Sequence, residues 1–286
     1  MSNKNTKVNA NSKETKPAIK VIDAKKFYEG SVFTNFYGER FIVDKYNNKN
    51  DVDVHFLDEH QYSCKTYRSV LVSGNLKNPY HPDQHGGYCG VGIYGRKNDV
   101  MVYRVWYHML ERTDPKFRKG NINMPSLETA YKNVTVCDEW RNFQIFAQWY
   151  YDYINKLNPK YKYDLDKDIL QWGYESKIYS PNTACLVPRE INNDLISSWY
   201  SHNNGNLPVG VSFSGYKFSA VFRVKKDVRY LGVYDTPEDA FAAYKKAKED
   251  YIKERALFYL NEGAILPYVY DALCKIDIKP FKKDYL

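Results

Sequence analysis

Hydrophobic and polar positions alternate with a period of two through Arg40-Phe41-Ile42-Val43, Val52-Asp53-Val54-His55-Phe56 and Tyr67-Arg68-Ser69-Val70-Leu71-Val72. Alternation of this kind puts successive side chains on opposite sides of an extended chain, so each run predicts a strand with one buried face. Asn47-Asn48-Lys49-Asn50 supplies a turn between the first two runs, and Gly74 ends the third. Together they outline a small β-domain over residues 27–78, with a glycine-rich exit (Gly86, Gly87, Gly90, Gly92, Gly95) that carries the boundary to residue 95.

The rhythm then lengthens. Val102, Val105, Trp106, Met109 and Leu110 recur at three- and four-residue spacing, which predicts a helix closed by Asp114-Pro115. A second helix is predicted from Asp138 as N-cap, with Trp140, Phe143, Ala147, Tyr150 and Ile154 on one stripe. Past Asn158-Pro159, two short strands around 165–170 and 184–187 and a helix from Pro188 or Arg189 give a ββα outline. The last third predicts strands over 209–213, 217–225 and 229–234. A helix then runs from Thr236 to about Leu257, with Pro237 at its first position, Asp239 reciprocating the cap and Ala240, Tyr244, Ala247 and Tyr251 buried. The expected class is α+β, multidomain, in five parts: an arm 1–26, a β-domain 27–95, an α+β domain 96–193, a linker 194–207 and a sheet-plus-helix domain 208–286.

Composition narrows the function classes. The 286 residues carry 42 Lys plus Arg against 34 Asp plus Glu, a net charge of +8. That charge is localised. Seven lysines face two acidic residues in the first 26 positions, and Lys217, Arg223, Lys225, Lys226 and Arg229 face one acidic residue, Asp227, in 208–230. The basic arm serves either as a solvated tail or for nonspecific phosphate contacts. No apolar run reaches the length of a spanning helix and the first 20 residues lack the apolar region of a secretory signal, so a cytoplasmic protein is expected, with no membrane partner. Five dispersed cysteines (Cys64, Cys89, Cys137, Cys185, Cys274) without a CxxC pair exclude a disulfide framework and argue against a four-ligand zinc site.

On the strand from Lys217, the apolar set Phe218, Ala220, Phe222 and Val224 can face the helix while Lys217, Arg223 and Lys225 point the other way. A three-stranded sheet backed by one helix leaves a face of the right width for a major groove, where Arg reads guanine edges and Lys holds phosphates. An ordinary solvated sheet face would show the same alternation. The run GVSF, KFSAVFR and LGVYDTPEDAFAAY resembles the plant-type AP2 DNA-binding domain, copies of which occur in bacteriophage and mobile-element endonucleases. Gly210 and Val211, Ala220 to Arg223, and Leu231, Gly232, Tyr234, Asp235, Thr236, Ala240 and Tyr244 carry the match. The resemblance implies double-stranded DNA as partner, with Arg223 as the leading contact, Lys217 and Arg229 next, and Lys225 and Lys226 nearby. Ser212 and Phe213 depart from it, standing where the family has arginine.

Val136-Cys137-Asp138-Glu139-Trp140, Phe143, Phe146, Leu165-Asp166-Lys167-Asp168 and Tyr179-Ser180-Pro181 are similar to phage proteins of the HNH endonuclease superfamily. That resemblance implies a Mg²⁺ or Mn²⁺ ion held by Asp166 and Asn192, with Lys167 and Asp168 at the catalytic positions. Lys167 stands where a base histidine is expected, and a lysine between Asp166 and Asp168 has its pKa raised rather than lowered. None of the six histidines falls in 159–193, although His81 or His85 could enter from the preceding loop. The β-domain with its GVGIYG exit is SH3-like in outline and resembles the N-terminal module of the same phage proteins, which implies the host cytoplasm as location. Three classes stand open: a DNA-binding protein derived from an HNH endonuclease whose site has decayed, an active metal-dependent endonuclease or nickase, and a phage structural or host-interaction protein. The third would use Trp149, Tyr150, Tyr151 and Tyr153 as an interface, although the same four rings suit a core.

Overall fold

A computed structural model describes residues 23–120, 128, 130–192, 207–224 and 227–280. The basic stretch 1–22, the linker positions 194–206 and Lys225 and Lys226 lie outside the described residues. The architecture is mixed α+β, and the chain divides into two compact units, Met1–Asn78 and Pro79–Leu286. No described helix is long and apolar enough to cross a membrane.

In the first unit a short helix α1 (Ala24–Tyr28) precedes four strands, β1 (Val32–Thr34), β2 (Arg40–Asn48), β3 (Asp51–Phe56) and β4 (Ser63–Thr66), and a helix α2 (Arg68–Ser73). Lys25 and Lys26, assigned by the sequence to the arm, are part of α1. The strands form one antiparallel sheet in the order β1-β2-β3-β4. Alternation delivers the core: Phe41 and Val43 of β2 pair with Phe56 and Val54 of β3, and all four are buried. A register shift between Val43 and Lys45 resets the period, which is why Tyr46 and not Lys45 turns inward.

The expected strand over 67–72 is instead the helix α2. Leu71 alone of that helix is buried, Val72 is exposed, and Gly74 ends it in a left-handed conformation with φ 69°. A period of two and one helical turn both place Leu71 inward, and over six residues the apolar pattern does not separate them. The strand paired with β3 is β4, whose polar sequence SCKT carries little hydrophobic signal.

The second unit runs through α3 (Val100–Thr113), α4 (Pro115–Gly120), β5 (Val134–Val136), a 3-10 turn (Asp138–Arg141), α5 (Phe143–Ile154), β6 (Tyr163–Asp166), β7 (Lys177–Tyr179), β8 (Cys185–Pro188) and α6 (Arg189–Ile191). It continues with β9 (Val211–Ser214), β10 (Lys217–Val224), β11 (Asp227–Tyr234), α7 (Pro237–Asn261) and α8 (Pro267–Cys274). β5 pairs in parallel with β7, and β6 is antiparallel to β8. The predicted helix from Asp138 is divided in two. Residues Asp138–Arg141 form the 3-10 turn, and α5 is capped by Asn142, whose side chain accepts from the Gln144 N–H at 3.0 Å.

Trp106, Met109 and Leu110 of α3 pack with Val134, Val136, Trp140, Phe143 and Phe146 in one core. A second core joins Cys185, Leu186, Val187 and Ile191 to Phe222 of β10, to Tyr244, Ile252, Ala256 and Tyr259 of α7, and to Val269 and Leu273 of α8. β8 is buried along its whole length, as a strand covered on both faces must be. Polar bonds follow the same join: the Asn158 amide donates to the Glu262 carbonyl at 2.7 Å, and the Trp172 indole N–H donates to the Asp277 carbonyl at 3.2 Å. The last sheet and its helix are therefore built onto the β6/β8 pair by a common interior.

Candidate nucleic-acid interface

β9, β10 and β11 form an antiparallel sheet with β10 in the middle. Thr236 fixes the approach of α7: its hydroxyl accepts from the Asp239 N–H at 3.1 Å and lies 2.7 Å from the Asp239 carboxylate, with Pro237 at the first helical turn. α7 buries Ala240, Tyr244, Lys248, Ile252 and Ala256 at four-residue spacing. Ala240 lets the helix lie close to Val211 and Ala220, and the Lys248 ammonium sits 5.5 Å from the Phe222 ring centre.

Directly opposed residues of an antiparallel pair share a face. Phe222 opposes Arg229, Ala220 opposes Gly232 and Phe218 opposes Tyr234, so these belong to the side covered by α7. Arg223 opposes Val228, Val221 opposes Tyr230 and Ser219 opposes Val233, so these belong to the side away from it. A bulge at Leu231, where the register shifts between Ala220 and Val221, allows both Tyr230 and Val233 to reach the outer face.

The basic residues singled out by the sequence thus divide. Arg223 is exposed on the outer face of the middle strand. Lys217 shares that face and pairs with Asp235 at 2.7 Å. Arg229 stands on the α7 side, with its guanidinium 5.9 Å from the ring centre of Tyr251. Val228 and Tyr230, and Val233 beyond the bulge, stand on the same outer face.

The central acidic positions form an internal charge cluster. Asp166, at the end of β6, is buried, and its Oδ1 accepts the backbone N–H groups of Asp168 and Ile169, each at 2.8 Å. Burial, assisted by the neighbouring Asp168 charge, raises its pKa to about 6. The Lys167 ammonium reaches both Asp168 oxygens, at 3.0 and 2.8 Å, and lies 4.6 Å from the Tyr131 ring centre. Lys177 from β7 bonds the same carboxylate. Burial by itself would depress Lys167, but Asp168 and Tyr131 outweigh it and hold the amine above the ordinary lysine value. Burial would likewise raise Asp168, and its two lysines override that and lower it. Lys167 is consequently a held cation and not a base.

Asn192 follows α6 as its C-terminal cap and borders the undescribed stretch. Asp166 spends one oxygen on backbone donors, and Asp168 faces two ammonium groups. Among the described residues no group of three or more His, Cys, Asp or Glu is placed to hold a metal ion. A Mg²⁺ or Mn²⁺ ion on Asp168 does not fit this arrangement, since that carboxylate already faces Lys167 and Lys177.

His85, the loop histidine considered as a substitute base, is buried with Nδ1 2.9 Å from Asp114 and Nε2 3.9 Å from Glu111. It lines a cavity of about 350 Å³ with Gln84, Thr113, Lys116, Thr135 and Arg141. The aromatic group of α5 is largely interior: Trp149 packs at a tilt against Trp140 with ring centres 4.5 Å apart, Tyr153 is buried, and the Tyr151 hydroxyl donates to Asp99 at 2.7 Å. Comparison of the chain with family models, with curated proteins and with solved structures returns no match.

Proposed function

We propose that this chain binds double-stranded DNA through the outer face of the β9–β11 sheet, with Arg223 as the residue that reads a base edge. The observation that carries this reading is the placement of Arg223. It is exposed on the outer face of β10, close to the β10–β11 hairpin, in a sheet backed by a helix on its other side. A bare strand surface of this kind can enter a major groove, and a guanidinium there matches the O6 and N7 acceptors of guanine. Lys217, at the same face, is suited to a phosphate once its surface pair with Asp235 opens, a pair worth little when exposed. The likeness of residues 210–244 to the AP2 pattern supports the same assignment.

In this reading the β6/β8/α6 unit is a frame of HNH type and the N-terminal sheet is an SH3-like module, both retained from an endonuclease of phage or mobile-element kind. The frame contributes packing to the sheet domain and no hydrolytic step, because the amine at the base position is a paired cation. The test is a salt titration of duplex binding by the full chain. Log affinity should fall linearly with log salt, by about 0.9 for each phosphate neutralised. An absence of salt-sensitive duplex binding would reject the reading.

A further inference from the structure

The outer sheet face is unusually apolar for a surface that meets water. Val228, Tyr230 and Val233 are 57%, 64% and 42% exposed, and all three belong to one strand and one face. A one-sided antiparallel sheet ordinarily places polar residues on its solvent side. Much of the polar complement here is already engaged. Ser212 and Ser219 are hydrogen-bonded to each other at 2.8 Å, and Lys217 is paired with Asp235. What remains is Arg223 near the hairpin end, with Val228 directly across from it and Val221 and Tyr230 forming the next opposed pair on the same side.

We infer that this face recognises C5-methyl pyrimidines next to the base pair read by Arg223. The inference rests on the DNA-binding reading above and specifies its substrate. Among the groups that base edges present in the major groove, the one apolar group is the methyl at C5 of thymine, which 5-methylcytosine also carries. Opposed side chains across a strand pair are separated by about 5 Å at Cβ. That spacing sets the apolar side chains of β11 over base pairs neighbouring the one contacted by Arg223. An unmethylated cytosine or a uracil presents only a C5–H at that point, and leaves Val228 without the methyl it would cover. The positive charge of Arg223, joined by Lys217 once its exposed pair with Asp235 opens, favours a polyanion over an apolar protein surface, and the valines select within that polyanion.

The experiment uses the full chain and random duplex libraries made with thymidine, with deoxyuridine in its place, or with 5-methylcytosine in place of cytosine. Binding should weaken about fourfold for each contacted methyl that deoxyuridine removes, the value of one buried methyl-sized group. A rise in affinity for the 5-methylcytosine library without loss on deoxyuridine would assign the methyl to modified cytosine, which also supports the inference. Val228→Ser, at an exposed position that does not disturb the core, should abolish the discrimination while leaving the salt dependence in place. Equal affinity for all three libraries would overturn the inference and leave DNA binding standing. Absence of salt-sensitive binding to any duplex would remove both. Concentration-dependent self-association of the free chain that Val228→Ser abolishes would identify the face as a contact between copies and overturn the inference as well.

Discussion

Arg229 stands directly across from Phe222 in the β10–β11 ladder, and this places its side chain on the opposite side of the sheet from Arg223. Its guanidinium lies over the Tyr251 ring of α7 at 5.9 Å from the centre. Arg229→Ala is therefore expected to lower stability by about 0.5–1 kcal/mol, the value of an exposed cation–π contact. The sequence preference of duplex binding should not change. Chemical denaturation and competition between duplexes measure the two effects separately.

Gly210 tests the packing beneath the sheet. Its φ is +78°, and a Cβ added there would fall within the ring of Tyr244, which α7 presses against the start of β9. Gly210→Ala should cost about 1–3 kcal/mol through overpacking and backbone strain. A thermal midpoint equal to that of the wild type would contradict this account of why glycine occupies the position.

Asp168 holds two lysines in a poorly hydrated place. The side chains of Lys167 and Lys177 are 8% and 15% exposed, so removal of their shared partner leaves two ammonium groups without their main counter-ion. Asp168→Ala should destabilise the chain by about 3 kcal/mol. Replacing Lys167 by Met, which keeps the stem and leaves Asp168 its second lysine, should cost less. Urea denaturation of both variants ranks the effects, and an inverted order would reject the paired-cluster description.

The buried carboxyl of Asp166 gives a pH signature. Its folded pKa of about 6 lies above the ordinary aspartate value, so the folded state holds more protons than the unfolded chain between roughly pH 4 and pH 6. The stability contributed by this group is fully present below that window and is lost as pH rises through it. Asp166→Asn keeps an acceptor for the Asp168 and Ile169 N–H groups and does not titrate. Relative to the wild type, the variant should gain on the order of 2 kcal/mol between pH 4 and pH 7. A pH-independent difference would show that Asp166 has an ordinary pKa.

The C-terminal elements are legible in the sequence because each is marked locally. Thr236-Pro237-Glu238-Asp239 announces a helix start, and the alternation from Phe218 to Val224, broken by Val221 alone, announces a half-buried strand. The buried stripe of α7 was less legible. Spacing of four residues continues through Lys248, and a lysine is not read as a core residue until its ammonium is seen over Phe222. The side taken by Arg229 depends on the hairpin register, which pairs Val224 with Asp227 and so sets Arg229 across from Phe222, and a one-residue bulge at Leu231 then moves the later residues to the other face; neither leaves a mark in composition. Around Asp168, the adjacent Lys167 could be anticipated, but Lys177 is brought in from the next strand, β7, and Tyr131 from a segment remote in sequence. Their convergence turns what resembled a hydrolytic centre into a paired charge cluster.

The most direct test of DNA binding through the outer sheet face is the affinity of Arg223→Ala for duplex DNA, measured beside the wild type at one salt concentration and across a sequence library. The account predicts a loss of about 1–3 kcal/mol on the preferred sequence and a relaxed choice at one base pair. Unchanged affinity with unchanged sequence preference would contradict it.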